Sequence, residues 1–348
     1  MPRLRRSSPR RAGWTRHRWG RGFRYLDEHG DPVPPEGLER CRALRIPPAW
    51  TEVWICPWPN GHLQATGTDA AGRRQYLYHP DWRRARDRDK FQRALALGTR
   101  LPAARERVAQ DLALPGMPRQ RALAAGFRIL DLGGLRIGTE RYAREHGTVG
   151  VATIRRDHVR VRGDRVLLTF PGKSGRTHEV ELRDPALAAA VAVLVRRRSG
   201  GPELLAHRRA GRWRDVRSAE LNAYIQEVTG GPGSTAKDFR TWLGTVAAVA
   251  HLVGTPADET SPRRGRSATA RRRAVAAAMR AVAEHLGNTP QVARTAYVDP
   301  RIVDRYVARS GWLPSLPEDL PHGEPGNADL RAWEPVVLTL LTGRPRGR

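Results

Sequence analysis

The sequence predicts an α+β protein: a small N-terminal antiparallel β-sheet domain, then a mainly α-helical domain carrying a three-stranded β-sheet. Three observations lead there. Residues 23–80 are short extended segments cut by Pro, Gly and Asn-Gly turns. From about Asp87 onward, apolar residues recur at three- and four-residue spacing, as on an amphipathic helix. Between those helical stretches, DHVRVRGDRVLLTFPGKSGRTHEVEL (157–182) alternates apolar and polar residues around two turns.

The elements follow in chain order. Residues 1–22 hold many arginines and no acid, and they lack the apolar core of a secretory signal. They are expected to be a basic flexible arm that lies on nucleic acid. The N-terminal β domain is expected over 23–86. Within it EVWICPWPNGHLQATG (52–67) holds two apolar runs around Asn60-Gly61, a hairpin signal, and RRQYLYH (73–79) is a further strand. The boundary is expected in the charged stretch WRRARDRDK (82–90).

A second domain is expected over 87–310. KFQRALALG and AARERVAQDLA read as helix. The sheet of 157–182 turns at Gly163-Asp164 and again at Gly172 to Gly175. Helices are expected at 185–198, 218–228, 235–252 and 266–286. Residues 311–348 are expected to be a Pro- and Gly-bearing linker and a last amphipathic segment.

Composition narrows the function. Lys and Arg number 62 against 35 Asp and Glu, a formal net charge of +27. Such a field attracts polyanions, and phosphate neutralisation with counterion release makes DNA or RNA the leading partner. No run approaches about 18 apolar residues, so no helix is expected to span a membrane. Cys41 and Cys56 are the only cysteines and form no CxxC pair, so neither a zinc site nor a disulfide framework is expected. They read as two buried reduced thiols in a cytosolic protein.

Only Lys90, Lys173 and Lys237 are lysine; every other basic Lys/Arg position is arginine. Arginine stays protonated, whereas a lysine can surrender its proton. Lys173 lies in PGKSG (171–175). Lys237 and Arg240, in KDFRTW (237–242), are three apart and so belong to one helical turn. GGLRIGTERY (133–142) places Arg136 near a helix end. LGNTPQVARTAY (286–297) runs from a Gly287-Asn288 turn, through a Pro290 suited to start a helix, to Tyr297. Each segment alone reads equally well as ordinary surface or core.

Together and in this order, these segments resemble the type IB DNA topoisomerases, in their compact bacterial and poxvirus-like form. IPPAW (46–50), the block VWICPWPNGHLQATGTDAAGRRQYLYH and HGTVGVATI (146–154) belong to the same resemblance, which spans from about Trp19 to residue 310. It implies a fold shared with tyrosine recombinases. It also implies an enzyme, a cytoplasmic, nucleoid-associated monomer, that relaxes duplex DNA through a 3′-phosphotyrosyl intermediate without ATP, metal or cofactor. Tyr297 matches the family nucleophile. Arg136 and Arg240 match the arginines that neutralise the phosphate oxygens, and Lys173 matches the lysine that protonates the departing 5′-oxygen. Lys237 matches a supporting lysine. Arg74, Gln75, Tyr76 and Tyr78 match DNA contacts of the first domain.

Three positions depart from the family pattern. Asn288 stands where the viral enzymes have histidine; it is kept as a catalytic-site residue because it can donate a hydrogen bond to a phosphate oxygen, though it carries no charge. Thr139 replaces an asparagine after Arg-Ile-Gly, and Arg74 replaces a lysine before Gln75-Tyr76. Two rival readings fit less of the chain. A tyrosine recombinase usually has histidine where this chain has Lys237, and it lacks the 46–79 block. A basic DNA-coating protein leaves the ordered motifs without a purpose.

Overall fold

The structure, a computed structural model, describes residues 3–172, 177–231, 233–254, 267–308, 320 and 329–343. The chain divides into two compact units, Met1–Asp89 and Lys90–Arg348.

The first unit is built on five strands: β1 (Trp14–Trp19), β2 (Gly22–Leu26), β3 (Thr51–Ile55), β4 (Leu63–Thr68) and β5 (Arg74–Tyr78). They form one antiparallel sheet in the order β2-β1-β3-β4-β5. The predicted hairpin and third strand are β3, β4 and β5. Val53, Ile55 and Ala65 of the sheet pack with Cys41 and Ile46. Cys41 lies on helix α1 (Pro35–Ala43), which the Pro-rich sequence hid. Prolines there occupy the N-cap and first helical position, where a missing N–H costs nothing.

The expectation of a flexible arm over residues 1–22 is corrected. Trp14–Trp19 pairs with both β2 and β3, and the preceding stretch is anchored too. Arg5 N donates to Asn60 O at 2.9 Å, and the Ser7 hydroxyl donates to Leu63 O at 2.9 Å. The arginines there count as charge in the sequence, but one of them is structural. Arg16 is buried, and its guanidinium donates to the carbonyls of Ile46, Pro47 and Trp50 at 2.9, 3.0 and 2.7 Å. A forked set of five donors closes an irregular loop where no ladder can. Cys41 and Cys56 are both buried free thiols, and burial pushes Cys41 up to about 11.

The division between the units falls between Asp89 and Lys90, in the charged stretch 82–90, which is the continuous helix α2 (Pro80–Leu112) and not a loop.

The second unit continues with α3 (Arg119–Gly133) and α4 (Glu140–His146). The predicted sheet follows as β6 (Val159–Arg162), β7 (Arg165–Pro171) and β8 (Thr177–Arg183), in the order β6-β7-β8. Then come α5 (Pro185–Arg196), the unforeseen hairpin β9 (Ala206–Arg209) with β10 (Arg212–Asp215), and α6 (Ser218–Val228). The Arg-rich run AHRRAGRWRD concealed that hairpin, because alternation is invisible when both faces carry charge. Helices α7 (Ala236–Gly254), α8 (Ala268–Leu286), α9 (Pro290–Val292), α10 (Pro300–Ala308) and α11 (Glu334–Thr342) complete the unit. No described helix is long and apolar enough to cross a membrane.

Its core centres on α3, buried on every side from Ala122 to Gly133, and on α7. Trp242 of α7 is fully buried. It packs where Gly98 of α2 offers no side chain: a methyl group at Gly98 would lie 2.4 Å from the indole. The linker expected at 312–327 lies outside the described residues, save Leu320.

Candidate functional site

Three helix ends and one loop place the candidate side chains. Helix α3 stops at Gly134, which adopts the left-handed conformation (φ 54°), and Arg136 follows two residues later. The Arg136 segment is held by a second strand of chain: Val151 N donates to Arg136 O at 2.9 Å and Ala152 N to Ile137 O at 2.7 Å. The two backbones meet at Gly138 and Gly150. A methyl group on Gly150 would lie 2.3 Å from Gly138 N and 2.6 Å from Arg136 O. This explains why GLRIG and HGTVGVAT belong together.

Arg240 lies in the first turns of α7 and is buried. Its Nη1 donates to Gly134 O, at the end of α3, and its Nη2 to Leu286 O, at the end of α8, at 2.7 Å. Terminal carbonyls of a helix lack intrahelical donors and carry its negative dipole end, so a cation suits them. The Nε of Arg240 is buried and without a partner among the described residues. Lys237, one turn earlier, is exposed. Three residues on a helix differ by about 60°, enough here to separate a buried guanidinium from a solvated ammonium.

Helix α8 ends at Gly287 (φ 60°), and Asn288 N closes the turn onto Ala283 O at 2.8 Å, as in a Schellman cap. Asn288 then faces the site. Its Oδ1 accepts from Arg136 Nη2 at 2.8 Å and its Nδ2 donates to Leu286 O at 3.1 Å. So one turn, Leu286–Asn288, engages both arginines.

Tyr297 ends a π-helical turn, Ala293–Tyr297, in which Val298 N reaches back to Ala293 O at 3.0 Å. Such turns rotate a side chain out of the α-helical register. Gly244 of α7 admits this turn, since a methyl group there would lie 3.0 Å from Tyr297 Cβ. Thr245 Oγ1 lies 3.2 Å from Tyr297 O and accepts from Asp299 N at 3.1 Å. The Arg240 guanidinium sits 4.9 Å from the Tyr297 ring centroid. Burial alone would raise the phenol's pKa. Arg240, with Arg136 and Lys237 behind it, outweighs burial and holds it below its usual value.

Of the predicted residues, Arg136, Arg240, Asn288 and Tyr297 come together, with Lys237 at the exposed edge. Lys173 lies outside the described residues. Arg74, Tyr76 and Tyr78 share one face of β5, by strand alternation. Tyr76 is 49% exposed and stacks on Tyr78, with ring centroids 6.2 Å apart. Gln75 lies on the other face and donates to Asp69 Oδ2 at 2.8 Å.

The sequence reading missed three contributors. In the sequence Lys90 stands out only as a rare lysine. Its buried ammonium donates to Thr295 O at 3.1 Å, two residues before Tyr297. His178 and His285 line a cavity of about 300 Å³ together with Arg136, Arg240 and Phe170. Burial, with His251 and Arg240 nearby, pushes His285 down to about 4. No spacing signal marks these three, because their partners are distant in sequence.

Comparison with known proteins shows the family to which the chain belongs. Residues 79–309, well over half of the chain, match the family described as eukaryotic DNA topoisomerase I, catalytic core. Residues 22–69 match the bacterial DNA topoisomerase IB N-terminal domain. The chain therefore belongs to the DNA topoisomerase I family, in its type IB branch, whose members are enzymes that act on DNA. DNA topoisomerase 1B of Acanthamoeba polyphaga mimivirus is 28% identical over 279 residues, covering 79% of this chain and 81% of that protein. DNA topoisomerase 1B of vaccinia virus (strain Copenhagen) is 25% identical over 162 residues, 44% of this chain and 50% of that protein. DNA topoisomerase 1 of Mycosarcoma maydis is 24% identical over 273 residues, 70% of this chain but only 25% of that longer protein.

Proposed function

We propose that the chain relaxes supercoiled duplex DNA by reversible transesterification at Tyr297. The observation that carries this reading is the convergence of Arg240 and Arg136 on Tyr297, through the Leu286–Asn288 turn. The phenol loses its proton and its oxygen forms a bond to a backbone phosphorus. The bond from phosphorus to the 5′-oxygen breaks, leaving a 3′-phosphotyrosyl link and a free 5′-hydroxyl. Charge builds on the non-bridging oxygens as this happens. Fixed cationic donors stabilise that charge most when they are already in place. Arg240 is anchored at two carbonyls with its Nε unspent, which fits that requirement.

Lys173 has the role of general acid toward the 5′-oxygen, on the strength of its place in the hairpin motif. An arginine there could not release a proton. Lys237 adds charge from the exposed edge, and Asn288 orients Arg136. Religation runs the same steps backward, with the 5′-hydroxyl attacking and Tyr297 leaving. One phosphodiester is exchanged for another, so the reaction balances without ATP. Four cationic side chains supply the neutralisation that divalent metals supply elsewhere. The exposed face of β5, with Arg74, Tyr76 and Tyr78, contacts the duplex; Gln75 joins it only by exchanging Asp69 for a base edge. We further propose that the enzyme acts as a monomer, which light scattering on the protein with and without a short duplex checks.

Plasmid relaxation in EDTA without ATP tests the chemistry. Wild type is expected to relax supercoils of both signs, Tyr297→Phe to relax none, and Lys173→Arg to lose most of the rate. Equal DNA binding by all three with no relaxation by any would overturn the proposal.

A further inference from the structure

The β7–β8 hairpin meets the Leu286–Asn288 turn through one side chain. His178 of β8 pairs directly with Phe170 of β7. Their rings stack, with centroids 5.5 Å apart and an interplanar angle of 23°. The other side of this contact is Gly287. A methyl group there would lie 2.2 Å from His178 Cε1 and 3.0 Å from Nδ1, so the imidazole occupies the space a side chain would take. Gly287 is left-handed in any case (φ 60°), which makes it the residue least able to resist close approach and least able to be replaced.

The residues flanking this glycine hold the two arginines. Leu286 O accepts from Arg240 Nη2, and Asn288 Oδ1 accepts from Arg136 Nη2. We infer that His178 is a positioning residue for strand cleavage: its ring, backed by Phe170 and seated on Gly287, fixes the Leu286–Asn288 turn and thereby sets where Asn288 holds Arg136. The inference rests on the proposed reading of Tyr297, Arg136 and Arg240 as the cleavage site. Burial, with Arg136 and Arg240 close by, lowers the pKa of the imidazole below its ordinary value. A neutral ring stacks here without repelling either guanidinium. The contact is steric and apolar, so shape rather than titration performs the task, and a flat apolar ring should substitute for it.

The test is single-turnover formation of the covalent protein–DNA adduct on a duplex oligonucleotide whose leaving strand diffuses away after cleavage. Wild type, Tyr297→Phe, His178→Ala, His178→Phe, Asn288→Ala and the His178→Ala/Asn288→Ala double variant are compared, with DNA affinity and Tm measured alongside. His178→Ala is expected to slow adduct formation at least 10-fold with DNA affinity within twofold of wild type. His178→Phe is expected to restore the rate to within about threefold. The double variant is expected to be no slower than Asn288→Ala, because both changes act on one arrangement. A wild-type rate in His178→Ala overturns the inference. So does a His178→Phe rate 10-fold or more below wild type, even if His178→Ala fails to fold, and so does full additivity in the double variant. Absence of any adduct with wild type is a different result: it overturns the proposed chemistry itself.

Discussion

Tyr297 is a phenol whose titration is set by its neighbours. Arg240, Arg136 and Lys237 hold it below its usual value against the opposing effect of burial. The proposed cleavage needs the phenolate, so its rate is expected to rise with pH and to level off below pH 10, the ordinary phenol value. A single-turnover pH profile measures this, and Lys237→Gln should move the midpoint upward. His285 poses the opposite case. It is a base lowered to about 4, and its Nε2 is buried without a partner among the described residues. Its unfolded value is near 6.5, so the folded state binds the proton less well. Stability is therefore full above about pH 6.5 and falls as pH drops from there toward 4. At pH 5 the cost is about 2 kcal/mol by linkage. His285→Phe removes the uncompensated nitrogen and the slope. It should match wild type at pH 7 and exceed its stability at pH 5, by urea denaturation at both values.

At the scale of elements, the site depends on where helices stop. Helices α3 and α8 both end in left-handed glycines, Gly134 and Gly287, and both offer a terminal carbonyl to Arg240. The loop that carries Arg136 depends on two backbones touching at Gly138 and Gly150. Gly150→Ala forces them apart and should cost about 1–3 kcal/mol, as overpacking does. Adduct formation should fall further than stability, since the displaced atoms, Gly138 N and Arg136 O, belong to the loop that carries Arg136. A variant that loses stability but cleaves at the wild-type rate would show that this loop does not position the arginine. Helix α7 was legible from its apolar spacing and KDFRTW. That its first turn splits Arg240 from Lys237 by burial was not, because exposure depends on which neighbours cover each face.

Across the whole molecule, buried charge ties distant segments together. Arg105 of α2 donates to Asp131 of α3 and, at 2.7 and 2.8 Å, to both carboxylate oxygens of Glu334 at the start of α11. Trp242 Nε1 donates to Glu334 at 3.0 Å, and Arg331 Nη2 to Asp131 at 2.7 Å. The last described helix is thus fastened to α2, to α7 through Trp242, and, by way of Arg105, to α3. Removing one partner strands the others without water, so Glu334→Ala should cost about 3 kcal/mol or more. A Tm unchanged from wild type would contradict that account. Several arginines that swell the net charge are consumed in this way, Arg16, Arg105 and Arg197 among them. The salt dependence of DNA binding should therefore report far fewer phosphates than +27 suggests. A slope of log K against log salt of about −5 to −9, the range for some six to ten phosphates, is expected.

By itself the sequence determined the β-then-α order of the two units, the limits of α5 to α8 to within about two residues, the three-stranded sheet and the motifs that place this chain among type IB topoisomerases. Those signals are local: apolar period, turn residues and short ordered segments. Only the tertiary structure decided which arginines are charge and which are scaffold. A guanidinium looks the same in sequence whether it meets water, a phosphate or a buried carbonyl. It also decided that Lys90 reaches a carbonyl 205 residues away, that His178 rests on Gly287, and that residues once read as a loose arm form an inner strand. Such contacts are set by which helix ends and strand faces are left with unpaired groups once the chain has packed. No window of neighbouring residues carries that information.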